Sequence, residues 1–483
     1  MPPVEPAARP ADDAGPEVGP AVVLIVSAAS FLTPFMGSAL NLAVPAIGRD
    51  FEAPVVALNW AVGAYLLAAA ALLLPLGRLA DLLGRRRLFV AGAALHALAT
   101  LACGAAGSVG ALIALRALQG GAAAIGFATG MAILTAGTPR RRRGRVLGLN
   151  TAAVYAGLSL GPVVGALLTD RLGWRSIFLV TGAAGAVLAV AAAAVLRGER
   201  SKPATTRFDR AGAALYATGV VLLLVGLSTA GTLRAGRWLL VAGALVLAGF
   251  VAAQARSRAP LLRRSLFADP AFTFSNLAAL LHYAATFAAG FLLSLYLQSV
   301  RGLDVRTAGL VLLAQPVLMA LLSPLAGRLS DRIEPRLVAS VGMLLTGSAL
   351  ALFALLTAHT PVAFVLAGLA LLGTGFGLFS SPNSNAVMSA VDPPDLGIAS
   401  ATLGTMRCLG QAGSLALVGL VLALAVGRAS VEAAGAAQLL GAVRACFAVM
   451  AALCALGVPA SLARGKIHGV GSGGPPPVPT ATS

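Results

Sequence analysis

The chain has 483 residues, 58% of them apolar and only 11% charged, with a mean hydropathy of +0.89. So little polar surface excludes a soluble domain of this length and points to apolar runs of about 20 residues, the length that crosses a bilayer core. The net charge of +18 sits in short segments between apolar runs, without interleaved aromatic residues. That placement excludes a nucleic-acid interface and fits membrane topology instead.

In chain order, the first twenty residues are rich in Pro and Ala, carry Glu5, Asp12, Asp13 and Glu17, and lack a basic n-region. They are expected to be a disordered tail (1–20) and not a cleaved signal. Apolar runs then fall at 21–48, 56–78, 88–107, 109–135, 146–169, 176–196, 210–230, 237–255, 271–299, 305–326, 336–357, 362–388, 397–426 and 440–463. This predicts an all-α integral membrane protein with fourteen transmembrane helices. Charged, Pro-containing stretches at 197–210 and 256–270 bracket the seventh and eighth runs. Without that pair, six helices remain on either side. The expected organisation is a six-helix bundle over 21–197, a linker with two inserted helices over 198–270 and a second six-helix bundle over 271–463. A disordered tail follows over 464–483.

Most of the 35 Lys and Arg residues lie in alternate loops, among them Arg85–Arg87, Arg140–Arg143, Arg197–Arg210 and Arg256–Arg264. The bias places those loops and both termini in the cytoplasm, in the plasma membrane (the inner membrane of a prokaryote). Arg116 and Arg407 are the two cations left inside spans. All four cysteines lie in apolar runs and read as small fillers; no metal-ligand spacing, disulfide framework or cofactor motif is present.

One segment occurs twice. Residues 77–87 read GRLADLLGRRR and residues 327–336 read GRLSDRIEPR, each between two apolar runs. Such a repeat suggests two structurally equivalent halves, as in secondary transporters. Gly77 permits close helix approach, Gly84 suits the sharp turn that follows, and Asp81 can cap a helix or pair with Arg85. Asp331 is its counterpart in the second half. In the fourth run, Arg116 and Gln119 stand one turn apart, followed by Gly120; a charge there must face an interior cavity or a partner, or snorkel to the interface. In the fifth run, Gly157, Gly161 and Gly165 recur every four residues, and Pro162 invites a bend.

Together these motifs resemble the major facilitator superfamily. Gly77, Asp81, Gly84 and Arg85 are similar to its loop 2–3 signature, Arg116, Gln119 and Gly120 to its fourth-helix signature, and Gly157, Gly161, Pro162 and Gly165 to the fifth-helix signature of its antiporters. Fourteen spans, and MRCLGQAGSLAL at 406–417, resemble the fourteen-helix drug:proton antiporter branch. The resemblance implies alternating access of two bundles about a central cavity, driven by an ion gradient. The expected activity is proton-coupled efflux of hydrophobic small molecules, of multidrug type, with no enzymatic step. A gradient-independent facilitator or an importer is the alternative.

The sequence departs from that branch at one place. Its first helix usually carries an acidic residue some nine positions before the proline of an A-x-P ending; here that position is Met36 in FMGSALNLAVP. All 17 carboxylates fall in tails, loops or span ends. Two arginines within spans and no acid make a cavity biased positive, so the expected substrate is hydrophobic and neutral or anionic, with protons and the lipid bilayer as further partners. The chain is expected to act as a monomer. With no mid-membrane carboxylate, His282, about 16 Å into its span, is the candidate proton carrier. By the resemblance, helices lining the cavity would contribute Asn41, Gln119, Asn276, His282 and Asn383. The resemblance implies a structural role for Arg407, while its depth leaves contact with an anionic ligand open.

Overall fold

The computed structural model describes residues 19–53, 55–196, 208–229, 234–257, 260–261, 264–426 and 436–465. Of the tails expected over 1–20 and 464–483, residues 1–18 and 466–483 lie outside the described residues, as do 197–207 and the side chain of Asn41, while Pro20, expected in the tail, already begins the first helix.

Seventeen α-helices carry the chain: α1 (Pro20–Asp50), α2 (Val55–Leu83), α3 (Arg85–Gly104), α4 (Val109–Ala136), α5 (Arg143–Leu172), α6 (Arg175–Val195), α7 (Arg210–Thr229), α8 (Arg234–Arg256), α9 (Arg264–Ala268), α10 (Pro270–Thr286), α11 (Ala289–Leu295), α12 (Val305–Leu312), α13 (Ala314–Ser330), α14 (Pro335–Phe353), α15 (Val362–Ser389), α16 (Leu396–Val426) and α17 (Ala436–Leu462). Among the described residues they form fourteen segments long and apolar enough to cross a membrane. Two expected spans are interrupted. The ninth is built of α10, α11 and a π turn at Tyr296–Val300, and the tenth breaks between α12 and α13 at Leu313. Proline lies inside α2 (Pro75), α5 (Pro162), α13 (Pro324), α15 (Pro382) and α17 (Pro459), where each removes one intrahelical hydrogen bond that neighbouring helices can make good.

Side-chain caps set several helix starts. Ser108 Oγ accepts from Ala111 N at 3.2 Å, Asp269 Oδ1 from Ala271 N at 2.7 Å, and Asp209 Oδ1 from Gly212 N at 2.8 Å. Between α2 and α3 the chain turns at Gly84, whose φ of 102° lies in the region that L side chains avoid.

In the first half, α1 packs on α5, α2 on α4, and α3 on α4 and α6. In the second, α14 packs on α15 and α17, and α10 on α16 and α17. The halves meet along α5–α13, α2–α16 and α4–α16. Separate apolar cores fill the halves: Phe178, Trp174 and Ile177 in the first; Phe353, Phe447 and Met450 in the second. A further cluster is shared, running from Tyr155 and Leu147 through Phe272, Tyr283 and Phe376 to Tyr216 and Phe250 of the inserted pair. Large apolar side chains that remain exposed, such as Val187, Val190, Leu245 and Trp238, belong on the lipid-facing perimeter, because a bilayer offers no hydrophobic drive to bury them.

The inserted α7 and α8 pack on each other, and α7 lies on both α2 and α16. Tyr216 of α7 is buried there. Its hydroxyl donates to Ala70 O of α2 at 3.0 Å and lies 3.2 Å from Thr405 Oγ1 of α16, so one phenol touches both halves.

Candidate functional site

The repeated motif forms two brackets at the cation-rich end of the molecule. Asp81, near the end of α2, has a side chain only 3% exposed. Its Oδ1 accepts from Gly397 N at 3.1 Å and its Oδ2 from Ile398 N at 3.0 Å, the free amides of the first turn of α16. Arg85 Nε donates to Asp81 Oδ1 at 2.8 Å, and Arg85 Nη2 donates to the carbonyls of Pro393 (2.6 Å) and Pro394 (3.0 Å). A Cβ added to Gly77 would stand 2.9 Å from Gly397 O, so the glycine is what lets α2 approach α16 this closely. Asp331, just past α13, repeats the arrangement on the other seam. Its Oδ1 accepts from Gly144 N at 2.7 Å and its Oδ2 from Arg145 N at 2.9 Å, in the first turn of α5. Gly327 and Gly144 touch backbone to backbone, and a Cβ on Gly148 would lie 2.7 Å from Ser323 O.

Both carboxylates thus sit on the positive end of a helix from the opposite half, which favours a negative charge by about 0.3–1 kcal/mol, and up to about 2 in buried geometry. The sequence named Asp81, Arg85 and Asp331; it did not name Gly144, Gly397 or the prolines that receive Arg85. Only the glycines that open two spans, in Arg143-Gly144 and Leu396-Gly397, hinted at close approach.

Arg116 is 2% exposed, so it faces the interior and does not snorkel. Its Nε donates to Ala61 O at 3.0 Å, its Nη1 to Gln119 Oε1 at 2.6 Å, and its guanidinium lies 4.6 Å from the centroid of the Tyr65 ring. Gln119 in turn donates to Thr100 Oγ1 at 2.6 Å and to the sulfur of Met36 at 3.0 Å. Met36, at the position where the resemblance leads one to expect an acid, therefore faces this pair as a thioether. Gly120 abuts the Tyr65 backbone, where a Cβ would come within 2.9 Å of the Tyr65 Cα.

On α5, the stripe Gly157, Gly161 and Gly165 lies against α1. Added Cβ atoms would stand 3.1 Å from Phe35 N, 2.6 Å from Phe35 O and 2.6 Å from Ala39 Cα respectively. Pro162 stands beside this seam.

Inside the spans the remaining candidates separate. Asn276, His282 and Asn383 are all buried, whereas Arg407 is half-buried. His282 stacks on Phe379 with centroids 3.9 Å apart, and neither ring nitrogen has a hydrogen-bond partner. Asn276 Nδ2 donates to Phe272 O at 2.9 Å, while its Oδ1 and that of Asn383 are unpartnered. Arg407 lies 5.3 Å from the Phe127 centroid and 5.8 Å from that of Tyr283. The rings continue outward, Tyr283 to Phe376 at 5.5 Å and Phe376 to Tyr155 at 5.6 Å. Sequence reasoning singled out none of the rings Phe127, Tyr283 and Phe376, because an aromatic residue in an apolar run carries no signal of its own.

Among the described residues no group of three or more His, Cys, Asp or Glu could hold a metal ion. At the far end, Arg175 Nη1 donates to Asp50 Oδ2 at 2.6 Å, and this bond holds the Asp50 carboxyl below its ordinary value.

The profile of the major facilitator superfamily matches residues 26–412 and, in a second stretch, 275–477. Among curated proteins, the chain is 28% identical to the riboflavin transporter RibZ of Clostridioides difficile over 80% of this chain and 85% of that one. It is 31% identical to the multidrug resistance protein Stp of Mycobacterium tuberculosis (80% and 72% covered) and 32% identical to the cephamycin export protein CmcT of Amycolatopsis lactamdurans (82% and 83%). Among solved structures, the human organic anion transporter MFSD10 (TETRAN) superposes with a TM-score of 0.63 at 17% identity, covering 91% of this chain and 97% of that one, a likeness of fold. A profile match over residues 26–477, relatives above 30% identity and, among the described residues, fourteen segments long and apolar enough to cross a membrane make this chain a member of the major facilitator superfamily, a multi-pass membrane transporter and not an enzyme.

Proposed function

We propose that the protein exports hydrophobic, neutral or anionic small molecules by alternating access, coupled to proton entry, with the cation-rich end and both termini in the cytoplasm. The observation that carries this reading is the pair of brackets. Each joins a span of one half to the first turn of a span of the other, and both close the same end. A carboxylate on a helix N-terminus at the membrane edge can be released into water without stranding a buried charge, so the contact suits a reversible gate. Gly77, Asp81, Gly84 and Arg85 form one gate element and Asp331 the other. The moving bodies are 21–197 and 271–463, with 198–270 as the insertion. The Gly157–Gly165 stripe with Pro162 keeps α1 and α5 in one body, and Arg116, Gln119 and Gly120 do the same for α2 and α4.

His282 is the candidate for carrying the proton, because both ring nitrogens are buried and unpartnered. Relatives named for multidrug resistance and cephamycin export support the outward direction. The second reading, a facilitator or importer, draws on the absence of a mid-span carboxylate among the described residues and on the relative named as a riboflavin transporter.

The test is transport into and out of proteoliposomes under an imposed pH gradient, with a panel of cationic, neutral and anionic hydrophobic compounds. Substrate-dependent proton flux is expected for the neutral or anionic members. Solute movement indifferent to the gradient would remove proton coupling and with it the role of His282.

A further inference from the structure

We propose that the cluster of rings around Arg407 is the substrate site, and that it takes planar aromatic anions: the ring of the substrate against Phe127, Tyr155, Tyr283 and Phe376, the anionic substituent on the Arg407 guanidinium. The inference rests on the transporter reading and deepens it by naming a substrate class.

Depth comes first. Arg407 lies about 16 Å along α16 from the cation-rich end, and Phe127, Tyr155, Tyr283 and Phe376 lie at about 13–20 Å from the same end on their own helices. All five share one layer near the bilayer midplane.

The second argument is the contrast between the two intramembrane arginines. Arg116 is enclosed, with a carbonyl, an amide oxygen and a ring face each placed on its guanidinium. That is how a cation looks when its role is to hold helices together. Arg407 is half-buried and lies over two ring faces, and no carboxylate of the described spans reaches its layer. Ring faces and the Tyr283 hydroxyl attract a cation but carry no charge, so among the described residues a guanidinium at this depth has no anionic partner until one arrives.

The third argument is the wall. Tyr155 meets Phe376 edge-on at 5.6 Å, and Tyr283 meets Phe376 edge-on at 5.5 Å. His282 packs on the same Phe376 and Tyr283 rings, at 4.7 and 6.0 Å, so the rings form one aromatic cluster beside the guanidinium, and a planar ring can stack into it. Phe127 and Tyr155 come from the first half; Tyr283, Phe376 and Arg407 come from the second. A ligand seated between them contacts both bodies, as a substrate that biases their relative position must. An organic cation would meet the Arg407 charge at close range and is disfavoured.

The experiment uses the purified full-length chain and three probes of one shape: 2-naphthoate, its neutral amide 2-naphthamide, and a naphthylmethyl trimethylammonium salt. Binding is read by quenching of protein fluorescence in detergent, and transport by efflux from proteoliposomes. The expected order is naphthoate over naphthamide by about tenfold, the gain of one charge-assisted contact, with the ammonium weakest. Arg407→Gln collapses the naphthoate preference to near unity, Arg407→Lys retains part of it, and Tyr283→Ala weakens naphthoate and naphthamide alike. Equal binding of naphthoate and naphthamide to the unmodified protein overturns the proposal, even if Arg407→Gln fails to fold. So does a naphthoate preference that survives in Arg407→Gln. Transport of naphthamide without any anion preference leaves the transporter reading standing and removes this site. Anion-selective binding without transport of any probe would keep the site and remove that reading.

Discussion

Replacing Asp81 by Asn keeps the shape of the side chain and removes its charge. The amide retains one oxygen, so it can still accept from either Gly397 N or Ile398 N, but it turns an NH2 toward the other donor. One charge-assisted hydrogen bond, worth about 1.5–3 kcal/mol, is lost outright, and the other falls to ordinary strength. The favourable placement of a negative charge at the α16 N-terminus, about 0.3–1 kcal/mol, also goes. Arg85 loses its carboxylate but keeps the carbonyls of Pro393 and Pro394, and it is partly exposed, so its share is discounted for screening. Together these come to about 2–4 kcal/mol of the closed arrangement at the cation-rich end, roughly a 30- to 900-fold shift toward the open one. Spin labels at Arg87→Cys and Asp392→Cys, both exposed and on opposite sides of this seam, would read it in a background freed of the native cysteines. The unsubstituted bracket should give one short, narrow distance population, and Asp81→Asn a second, longer one that becomes dominant. An unchanged distance distribution in Asp81→Asn would refute the assignment of Asp81 to a gate.

Gly161→Ala should lower the melting temperature of the purified protein, since its Cβ would stand 2.6 Å from Phe35 O; overpacking of this kind costs about 1–3 kcal/mol, whereas Gly63→Ala, which meets open space, should not. Tyr216→Phe should weaken the docking of the inserted pair on α2 and α16 by about 0.5–1.5 kcal/mol; unchanged proteolytic nicking between the sixth and seventh helices would argue that the phenol contributes nothing. The Asp50 carboxyl is held below its ordinary value by its hydrogen bond from Arg175. A lowered folded value stabilises above the unfolded value and is lost as pH falls through the folded one, so the unmodified protein should lose stability relative to Asp50→Asn only below about pH 4. The pair is open to solvent, so the difference should shrink in high salt.

The number and order of the spans were legible because a bilayer demands long apolar runs, and hydropathy reads nothing else. Their ends were less so. The fifth run was expected to begin at 146 and the eleventh at 336, but α5 starts at Arg143 and α14 at Pro335, since a helix carries on into its charged first turn where apolarity has already stopped. The break at Leu313 was invisible for the same reason, being as apolar as its surroundings, and the π turn at Tyr296–Val300, with Gln298 and Ser299, read as the polar end of a span. At the site, Arg116 stood out because a charge in an apolar run is costly. Tyr216 did not, because a tyrosine in an inserted helix looks like an interface anchor until its hydroxyl is found between α2 and α16.

The donors that Asp81 and Asp331 receive are main-chain amides, of Gly397 and Ile398 on one seam and of Gly144 and Arg145 on the other. Every residue but proline supplies such a donor. The exposed side chain at Arg145 is therefore free to drift while the contact persists, Ile398 is held only by its burial in the shared core, and the glycines are fixed by space alone, not by any chemical match to the acid. Because each acid reads only a main-chain amide, the bracket itself asks for no matching side chain on the receiving helix. The only single substitutions on the receiving helices that delete a donor outright are to proline.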